Sequence, residues 1–277
     1  MVKIFAPAKV NLTLHVTGQR SDGYHELDSL AVFADIGDVV RAKRSDTTTL
    51  TVTGPMAASI PTDSENLVMK AAALIGVTAN IELKKNLPPA AGLGGGSSDA
   101  AATLKALSQL SGKSIPTSCL PLGADVPVCL SGAGAARMRG IGDVIEPIPD
   151  LPPLYAVLVN PNVPVMTVEV FRQLRNRINP PMPEDLPRGL DAAGLVAWLS
   201  EMRNDLEAAA IEAEPVIAQV FSTLEVTPGC QLTRMSGSGG TCFGIYGDAE
   251  TAASAEGRLR EQYPSWWIRA AVLNAPA

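Results

Sequence analysis

The chain has 277 residues, of which 46% are hydrophobic and 18% charged, and its formal net charge is −6. This length predicts about two domains of ordinary size or one large domain, with enough apolar residues for a sizeable core. Aromatic residues make up only 4% of the chain, so we expect a core of alanine and aliphatic side chains. The acidic balance argues against nucleic acid or an anionic membrane as the main partner, although a local basic pocket for a phosphorylated ligand is compatible with it.

Four cysteines and two histidines occur in the chain, and no two cysteines form a CxxC pair. This predicts reduced thiols rather than a disulfide framework or a structural zinc site. The N-terminal residues show no long apolar core followed by a cleavage site, and no stretch reaches the roughly 18 uninterrupted apolar residues of a membrane span. We therefore expect a cytoplasmic protein with no membrane partner.

The first patterned segment alternates apolar and polar residues from Val10 to Val16, which predicts a strand with one buried face. Lys9 precedes it, and a solvated lysine at a strand end is the simplest interpretation of that residue. A loop rich in turn residues follows and ends at Tyr24 and His25. These two adjacent rings either contact a planar group of a ligand or form the tip of a hairpin.

Strands and then helices follow along the first hundred residues. Three strands are predicted, with Gly37 and a polar run as separators: 27–33, 38–41 and 50–53. Residues 62–65 predict the cap of a helix from about Asn66 to Ile75, which Gly76 ends. Since strands cluster before the helices instead of alternating with them, the pattern predicts an α+β fold rather than repeated βαβ units.

A glycine-rich loop from Leu87 to Ala100 lies between a short strand at 81–84 and a helix predicted at 100–110. Successive glycines let backbone N–H groups approach a ligand, and a helix N-terminus favours a phosphate. Ser97, Ser98 or Asp99 can cap that helix. The loop matches neither the Walker A nor the Rossmann pattern. Phosphate binding and a flexible turn are the two interpretations, and the three successive glycines favour the first.

Asp125 lies between apolar neighbours on both sides, as a helix cap or as a functional carboxylate. Four prolines among residues 147–153 predict a domain boundary at residue 150, which gives domains of 1–150 and 151–277. The second domain is predicted to contain strands at 155–159, 231–235, 241–246 and 267–273 and helices at 167–178, 192–200, 205–212, 215–224 and 249–262. A second glycine loop, Ser236–Gly240, joins two of these strands and by itself is more typical of a hairpin turn.

These features fit one chemical scheme. Transfer of a phosphoryl group from ATP to an alcohol needs a cradle for the phosphates, usually Mg²⁺, a group that accepts or orients the hydroxyl proton, and a nearby cation. The glycine loop can supply the cradle, Asp125 the proton acceptor, and Lys9 the positive charge on the transferred group.

The glycine loop with its flanks, from Pro88 to Ala101, resembles the ATP loop of the GHMP kinases. Four further stretches resemble that family in the same order, and they begin at Pro7, Arg20, Leu122 and Ser236. The second and third of these contain Asp-Gly-Tyr-His and Gly-Ala-Asp-Val-Pro, which resemble the members that phosphorylate a cytidine diphosphate-linked methylerythritol.

The resemblance implies a two-domain α+β fold, with an N-terminal α/β domain like ribosomal protein S5 and a C-terminal α+β sandwich. It implies that ATP phosphorylates the 2-hydroxyl of the methylerythritol unit, in isoprenoid precursor synthesis by the non-mevalonate route. We see no obvious carboxylate for Mg²⁺ beside the loop, so we expect the metal to be held largely by phosphates, waters and a serine hydroxyl. The segment 111–122 is shorter than the family pattern suggests, and two alanines stand where glycine is common.

The resemblance also assigns roles to residues. Lys9 and Asp125 would be the catalytic pair, and Asn66 would lie near the adenine. The ATP phosphates would be wrapped by Pro88, Pro89, Ala90, Ala91, Gly92, Leu93, Gly94, Gly95, Gly96, Ser97 and Ser98. The substrate would be held by Tyr24 and His25 at the cytosine, by Asn11 near the methylerythritol, by Thr167 and Phe171 beside the cytidine, and by Gly237, Ser238 and Gly239 along its phosphates.

Overall fold

The computed structural model of the chain describes residues 1–132, 134–186 and 188–275. The strands there are β1 (Val2–Asn11), β2 (His15–Gln19), β3 (His25–Arg44), β4 (Thr49–Thr53), β5 (Ala79–Lys84), β6 (Ala135–Gly140), β7 (Val144–Pro147), β8 (Leu154–Asn160), β9 (Cys230–Met235), β10 (Cys242–Tyr246) and β11 (Trp267–Leu273). The helices are α1 (Leu67–Ile75), α2 (Gly95–Ser111), α3 (Val126–Ser131), α4 (Thr167–Gln173), α5 (Ala192–Ser200), α6 (Glu207–Ala213), α7 (Val216–Glu225) and α8 (Ala249–Gln262).

Two compact units share the chain, and they are interleaved along it. The first contains Met1–Lys9, Ile36–Pro89 and Gly94–Gly132, and the second contains Val10–Asp35, Ala90–Leu93 and the chain after Gly132. The interleaving arises because the long strands β1 and β3 each contribute residues to both units. The units therefore do not divide at residue 150, and the boundary predicted there stays a prediction about the family's domains.

The first unit is a small sheet covered by helices. Its strand order is β4–β5–β3, with β4 parallel to β5 and the second half of β3 antiparallel to β5. Helices α1 and α2 pack against each other through alanine and aliphatic side chains, including the buried Val68, Ala71, Leu104 and Leu107. The low aromatic content of the chain is thus reflected in this core.

Helix α1 confirms the predicted helix, although its cap differs from the prediction. The Asn66 side chain, not residues 62–65, caps the N-terminus by accepting a hydrogen bond of 2.9 Å from the Val68 amide. Gly76 ends the helix in the left-handed conformation at φ 63°, as a glycine at that position favours.

Helix α2 begins earlier than predicted. It starts at Gly95, and Gly94 occupies the cap position at φ 60° without a side-chain cap. The predicted caps Ser97, Ser98 and Asp99 lie inside the helix, so that prediction is wrong. The helix can start within the glycine run because glycine supplies the left-handed cap geometry itself.

Strand β3 runs unbroken through Gly37, where two separate strands were predicted. A Cβ placed on Gly37 would overlap the carbonyl oxygen of Ala6 and lie 2.8 Å from the Cα of Pro7. This glycine therefore permits the close approach of β1 and does not end the strand.

The second unit is a larger sheet with helices packed on it. Its strands follow the order β3–β11–β8–β10–β9, and β8 is antiparallel to both β10 and β11. The first half of β3 also pairs with β2 and β6. Buried side chains of α7 and α8, such as Ile217, Val220 and Leu259, share one cluster with Val157 and Ile268 of the sheet.

Helix α4 ends at Gln173, five residues before the predicted end. After the helix, the Asn176 side chain accepts a hydrogen bond from the Ile178 amide. The Asn179 amide donates to the carbonyl of Val16 in β2, so this segment follows β2 instead of continuing the helix. The predicted helices at 192–200 and 249–262 and the strand at 267–273 are confirmed with the same ends. None of the helices in the described part of the chain has the length and apolar character needed to cross a membrane.

A buried charge cluster of Lys85, Asp38 and Asp99 ties β3, β5 and α2 together in the first unit. The Lys85 Nζ lies 2.5 Å from Asp38 Oδ2 and 2.8 Å from Asp99 Oδ2, and all three side chains are less than 5% exposed. Asp38 Oδ1 also accepts from the amides of Asn86 and Leu87. One ammonium therefore serves two carboxylates, and no group of the described residues makes a hydrogen bond to Asp99 Oδ1.

The pKa of Asp99 is raised to about 7, and burial is the main cause. The positive charge of Lys85 lowers this pKa in part, whereas the negative charge of Asp38 raises it further. The folded chain therefore holds a proton on this carboxyl in a pH range where the unfolded chain has lost it. Ionisation of Asp99 costs folding free energy because the charge is buried and only half compensated.

Replacement of Gly37 by alanine should destabilise the fold by roughly 1–3 kcal/mol or more, because the new Cβ meets backbone that cannot move aside. The measurement is the midpoint of urea unfolding. Gly257→Ala is the matched control, since Gly257 is an exposed position inside α8 with open space around it. That control should gain about 0.5–1 kcal/mol. A Gly37→Ala chain as stable as the parent would contradict the close-approach explanation.

Asp99→Asn should flatten the dependence of stability on pH. In the parent chain the folded-state pKa lies above the unfolded value, so stability is fully present below about pH 4 and should fall by roughly 2–4 kcal/mol as pH rises through 7. The asparagine variant has no proton to lose there, and its free energy of unfolding should stay nearly constant over that range. Denaturant unfolding at a series of pH values measures this, with the exposed Asp46→Asn as control. A constant difference between parent and variant at all pH values would refute the assignment.

Candidate active site

The first unit contains a charged pair near the end of β1. The Lys9 Nζ lies 2.8 Å from Asp125 Oδ1. The lysine side chain is 5% exposed and the carboxylate 32% exposed. A buried lysine requires such a partner, because an isolated ammonium in the interior is strongly unfavourable. The interpretation of Lys9 as a solvated strand-end residue is therefore wrong.

Asp125 occupies the cap position of α3, but its side chain makes no cap hydrogen bond. Its Oδ1 atom faces Lys9, and its Oδ2 atom lies 3.7 Å from a Cβ built on Gly94. The carboxylate therefore lies beside both the lysine and the glycine loop. Although it stands at a helix start, it is used as a charged group and not as a cap.

Gly94 packs directly on the lysine. A Cβ at this position would lie 3.1 Å from Cβ and 3.3 Å from Cε of Lys9, and the backbone has φ 60°. Both the space and the conformation favour glycine here. The N-terminus of α2 is thus held against the Lys9–Asp125 pair.

The N-terminus of α2 offers backbone donors. The first intrahelical bond runs from the Ser98 amide to the Gly94 carbonyl at 2.8 Å. The amides of Gly95, Gly96 and Ser97 precede it and have no partner within the helix. Three such amides and the partial positive charge of a 17-residue helix are an arrangement that favours an anion, and they lie beside a lysine.

The chain reaches Asp125 from α2 by a short path. Gly112 ends the helix in the left-handed conformation, and a single 3-10 turn at Leu120–Leu122 precedes the aspartate. A Cβ on Gly123 would lie 3.6 Å from the Ser97 hydroxyl. The shortened segment 111–122 therefore still brings Asp125 back to the start of α2.

Asn66, predicted near the adenine, is already engaged by the protein. Its Oδ1 caps α1, and its Nδ2 donates to the Pro61 carbonyl at 2.7 Å. Its NH₂ group keeps one hydrogen and its carbonyl oxygen one lone pair for a further hydrogen bond. Its role stays a prediction.

The second unit joins the two glycine loops. The Ser236 hydroxyl donates to the Gly92 carbonyl at 2.8 Å, and the Thr241 amide donates to the Ala91 carbonyl at 3.1 Å. Gly92 has φ 71°, and a Cβ there would lie 2.8 Å from the Gly239 carbonyl. Of the residues predicted to wrap ATP, Ala90–Leu93 belong to this unit and the others to the first. The second loop is therefore more than a hairpin turn, because it fixes the middle of the first.

Asn11 lies in the same network of the second unit. Its main-chain N–H donates to the Ser236 hydroxyl at 3.1 Å, and its Nδ2 donates to the Ser29 hydroxyl at 2.7 Å. The residue is 4% exposed. Its position is thus set by two serines, one on the second glycine loop and one on β3.

The residues predicted for the cytidine end are brought together in pairs. The rings of His25 and Phe171 stack with centroids 4.7 Å apart and an interplanar angle of 24°, and the hydroxyls of Thr167 and Ser238 lie 2.8 Å apart. Burial, followed by the positive charge of Arg177, lowers the pKa of His25. The imidazole is therefore mainly neutral at pH 7, with one donor and one acceptor nitrogen.

Tyr24 occupies the tip of the β2–β3 hairpin. Its amide donates to Asp22 Oδ1 at 3.1 Å, and its side chain is 61% exposed. The hairpin interpretation of this loop is confirmed, while a contact of Tyr24 with a ligand stays a prediction.

Sequence reasoning missed Asn204, which holds the second glycine loop. Its Nδ2 donates to the carbonyls of Met235 at 2.9 Å and Gly237 at 2.8 Å, and its Oδ1 accepts from the Leu206 amide. The residue is 4% exposed although it lies between two helices in a polar run. The sequence around this residue has an asparagine followed directly by an aspartate and a predicted helix. This pattern is also typical of an ordinary helix cap, so it did not single out Asn204.

Within the described residues no group of three or more histidine, cysteine, aspartate or glutamate side chains could hold a metal ion. The four cysteines are free thiols.

Comparison with known proteins identifies two family domains in the chain. The family profile "GHMP kinases N terminal domain" matches residues 66–144, and "GHMP kinases C terminal" matches residues 189–265. The boundary predicted at residue 150 falls between the two matches, which do not test it.

Curated relatives span almost the whole chain. A 4-diphosphocytidyl-2-C-methyl-D-erythritol kinase of Cereibacter sphaeroides is 53% identical over 98% of this chain and 99% of its own length. One of Dinoroseobacter shibae is 54% identical over 98% and 94%. The crystal structure of a 4-(cytidine 5'-diphospho)-2C-methyl-D-erythritol kinase, 32% identical, aligns with a TM-score of 0.81 over 99% of this chain and all of the other.

A homoserine kinase from Cytophaga hutchinsonii, 19% identical, shares the fold alone, with a TM-score of 0.65 over 97% of this chain and 93% of its own. The relatives at about half identity over nearly full length carry the stronger conclusion. The chain belongs to the GHMP kinase family, in the branch of the 4-diphosphocytidyl-2-C-methyl-D-erythritol kinases.

Proposed function

We propose that this chain transfers the terminal phosphoryl group of ATP to the 2-hydroxyl of 4-diphosphocytidyl-2-C-methyl-D-erythritol, giving the 2-phosphate and ADP in the non-mevalonate route to isoprenoid precursors. The observation that supports the phosphotransfer is the Lys9–Asp125 pair, packed under Gly94 at the start of α2. The names of the relatives at about half identity supply the substrate.

Asp125 and Lys9 divide the chemistry between them. Asp125 Oδ2, the oxygen that faces Gly94, accepts or orients the proton of the attacking hydroxyl. Lys9, held on Oδ1, supplies positive charge where negative charge develops on the transferred group. Because Lys9 is buried, this charge is little screened by water.

The amides of Gly95, Gly96 and Ser97 hold the phosphates of ATP at the N-terminus of α2. Mg²⁺ accompanies the nucleotide and is bound through its phosphates, water and the hydroxyl of Ser97 or Ser98, which suits a hard cation that retains water ligands. The remaining loop residues, Pro88 to Leu93, shape the path of the phosphates, and Asn66 borders the adenine. We propose a cytoplasmic location for this reaction.

Residues of the second unit bind the cytidine end of the substrate. The stacked rings of His25 and Phe171 offer a flat surface and a neutral imidazole to the cytosine, with Tyr24 on the adjoining hairpin tip. Thr167 stands beside Ser238, and the glycines on either side of it, Gly237 and Gly239, follow the substrate phosphates. Asn11 meets the methylerythritol.

The proposal is tested by ADP release from ATP and Mg²⁺ with the cytidylyl substrate and with homoserine, mevalonate and galactose. We expect turnover with the cytidylyl substrate alone. Turnover with one of the other alcohols would keep the ATP site and reject the substrate, and binding of ATP without turnover on any of the four would reject the enzyme function.

The cytosine assignment has its own control. His25→Ala should raise the KM for the cytidylyl substrate about 10-fold or more through loss of ring contact and a hydrogen bond, and leave the KM for ATP unchanged. Tyr155→Phe, a change at a partly buried ring outside the proposed site, is the comparison variant. Equal loss in both variants would count against a cytosine role.

Asp125→Asn should lower kcat by about 10²- to 10⁴-fold, because the amide cannot accept the hydroxyl proton. It should leave ATP affinity nearly unchanged, since the amides of α2 are untouched and the asparagine oxygen still accepts from Lys9. Steady-state rates and calorimetric binding of ATP measure the two effects separately.

The exposed Asp46→Asn serves again as control and should keep the parent's rate. Normal turnover in Asp125→Asn would remove the carboxylate from the mechanism. A loss of ATP affinity that matches the loss of rate would instead make Asp125 a residue of nucleotide binding.

A further inference from the structure

We propose that Ser29 is a positioning residue that fixes the side-chain amide of Asn11, so that Asn11 presents its carbonyl oxygen, and not its NH₂ group, to a hydroxyl of the methylerythritol. The inference deepens the proposed function and rests on it. It concerns only contacts within the second unit.

The direction of the hydrogen bonds follows from the chemistry of the groups. The Ser29 hydroxyl lies 2.5 Å from the Thr13 carbonyl, which can only accept. The single hydroxyl hydrogen of Ser29 is therefore spent on that bond. The atom of Asn11 that lies 2.7 Å from the same hydroxyl must donate, so it is Nδ2.

The frame around this bond is rigid. Thr13 is fully buried, its hydroxyl accepts from the Leu30 amide at 2.9 Å and donates toward the Met182 sulfur, and Ser29 is 2% exposed. A flipped Asn11 would set its carbonyl oxygen against the Ser29 oxygen, and the two acceptors would be buried without a hydrogen between them. Such an arrangement costs the full desolvation of both groups.

The backbone of Asn11 is fixed by the same logic. The Ser236 hydroxyl donates its one hydrogen to the Gly92 carbonyl and so accepts from the Asn11 amide. One serine thus sets the main chain of Asn11 and the other sets its side chain.

The Asn11 Oδ1 atom is the part of the residue left for a ligand. It accepts no hydrogen bond from the described residues, and it lies 3.5 Å from a Cβ built on Gly237, so it faces the second glycine loop. A carbonyl oxygen can only accept. The group that it recognises must be a donor, and the donors of the methylerythritol unit are its hydroxyls.

This arrangement makes Asn11 a determinant of substrate specificity. An analogue that lacks the recognised hydroxyl leaves Asn11 Oδ1 unpaired, and we expect it to bind about 10-fold more weakly than the substrate. Without Ser29 the amide can rotate and offer either end, so this discrimination should shrink.

The experiment compares the parent with Ser29→Ala, using the cytidylyl substrate and analogues that each lack one hydroxyl of the methylerythritol. In the parent, one analogue should show an inhibition constant about 10-fold above the substrate KM. In Ser29→Ala the KM for the substrate should rise about 3- to 10-fold and the ratio for that analogue should fall to about 2 or less, with the KM for ATP unchanged.

Ser254→Ala, at an exposed serine of α8, is the matched control and should keep every ratio. If Ser29→Ala unfolds, Asn11→Ala tests the same discrimination. It removes the carbonyl oxygen, so the inhibition constant of the analogue should no longer exceed the substrate KM. Equal weakening of the substrate and all analogues in Ser29→Ala, or an unchanged ratio in either variant, would overturn the inference. Absence of parent turnover on the cytidylyl substrate would instead reject the proposed function, so the two failures are distinct.

Discussion

The buried ammonium of Lys9 is the constraint on which the first unit depends. A lysine with a side chain 5% exposed requires a carboxylate within hydrogen-bond distance, and Asp125 supplies it at 2.8 Å. A side chain on the residue that packs against the lysine would crowd it, and Gly94 has none. One charge thus sets the end of β1, the start of α3 and the start of α2. The groups to which we assign phosphoryl transfer thus lie together around this one buried charge.

The second unit contains a network whose arrangement follows from hydrogen-bond direction, in addition to the buried ion pair of Arg137 and Asp28. Ser29 and Ser236 each have one hydrogen and give it to a carbonyl, so each must accept from Asn11. Asn204 holds the second glycine loop by donating to two of its carbonyls. Because the side chains of this network are buried, reversal of one bond would leave polar groups unpaired, which favours a single arrangement of the loop. Such a surface can select a ligand by its pattern of donors.

Much of the fold was accessible to sequence reasoning where the signals are local. Asp191 and Asp248 accept from amides three residues on, and the helices that they cap, α5 and α8, begin and end as predicted. Gly37 shows the limit of this reasoning. A glycine between two apolar runs is typical of a break, but its cause here is the backbone of Ala6, thirty-one positions earlier in the chain. Close approach between distant segments leaves no local pattern, so one strand was predicted as two.

The sequence by itself determined the motifs, their order and the family. Glycine runs, a lysine before a predicted strand and an aspartate between apolar residues can each be recognised from neighbouring residues alone. Only the tertiary structure decided which polar groups meet. Asp99 reads as a cap, yet it pairs with Lys85 and competes with Asp38, which lies 47 residues before that lysine. Asn11 and Ser236 are 225 residues apart. Burial makes these pairings obligatory, and burial is a property of the folded chain that no short stretch of sequence contains.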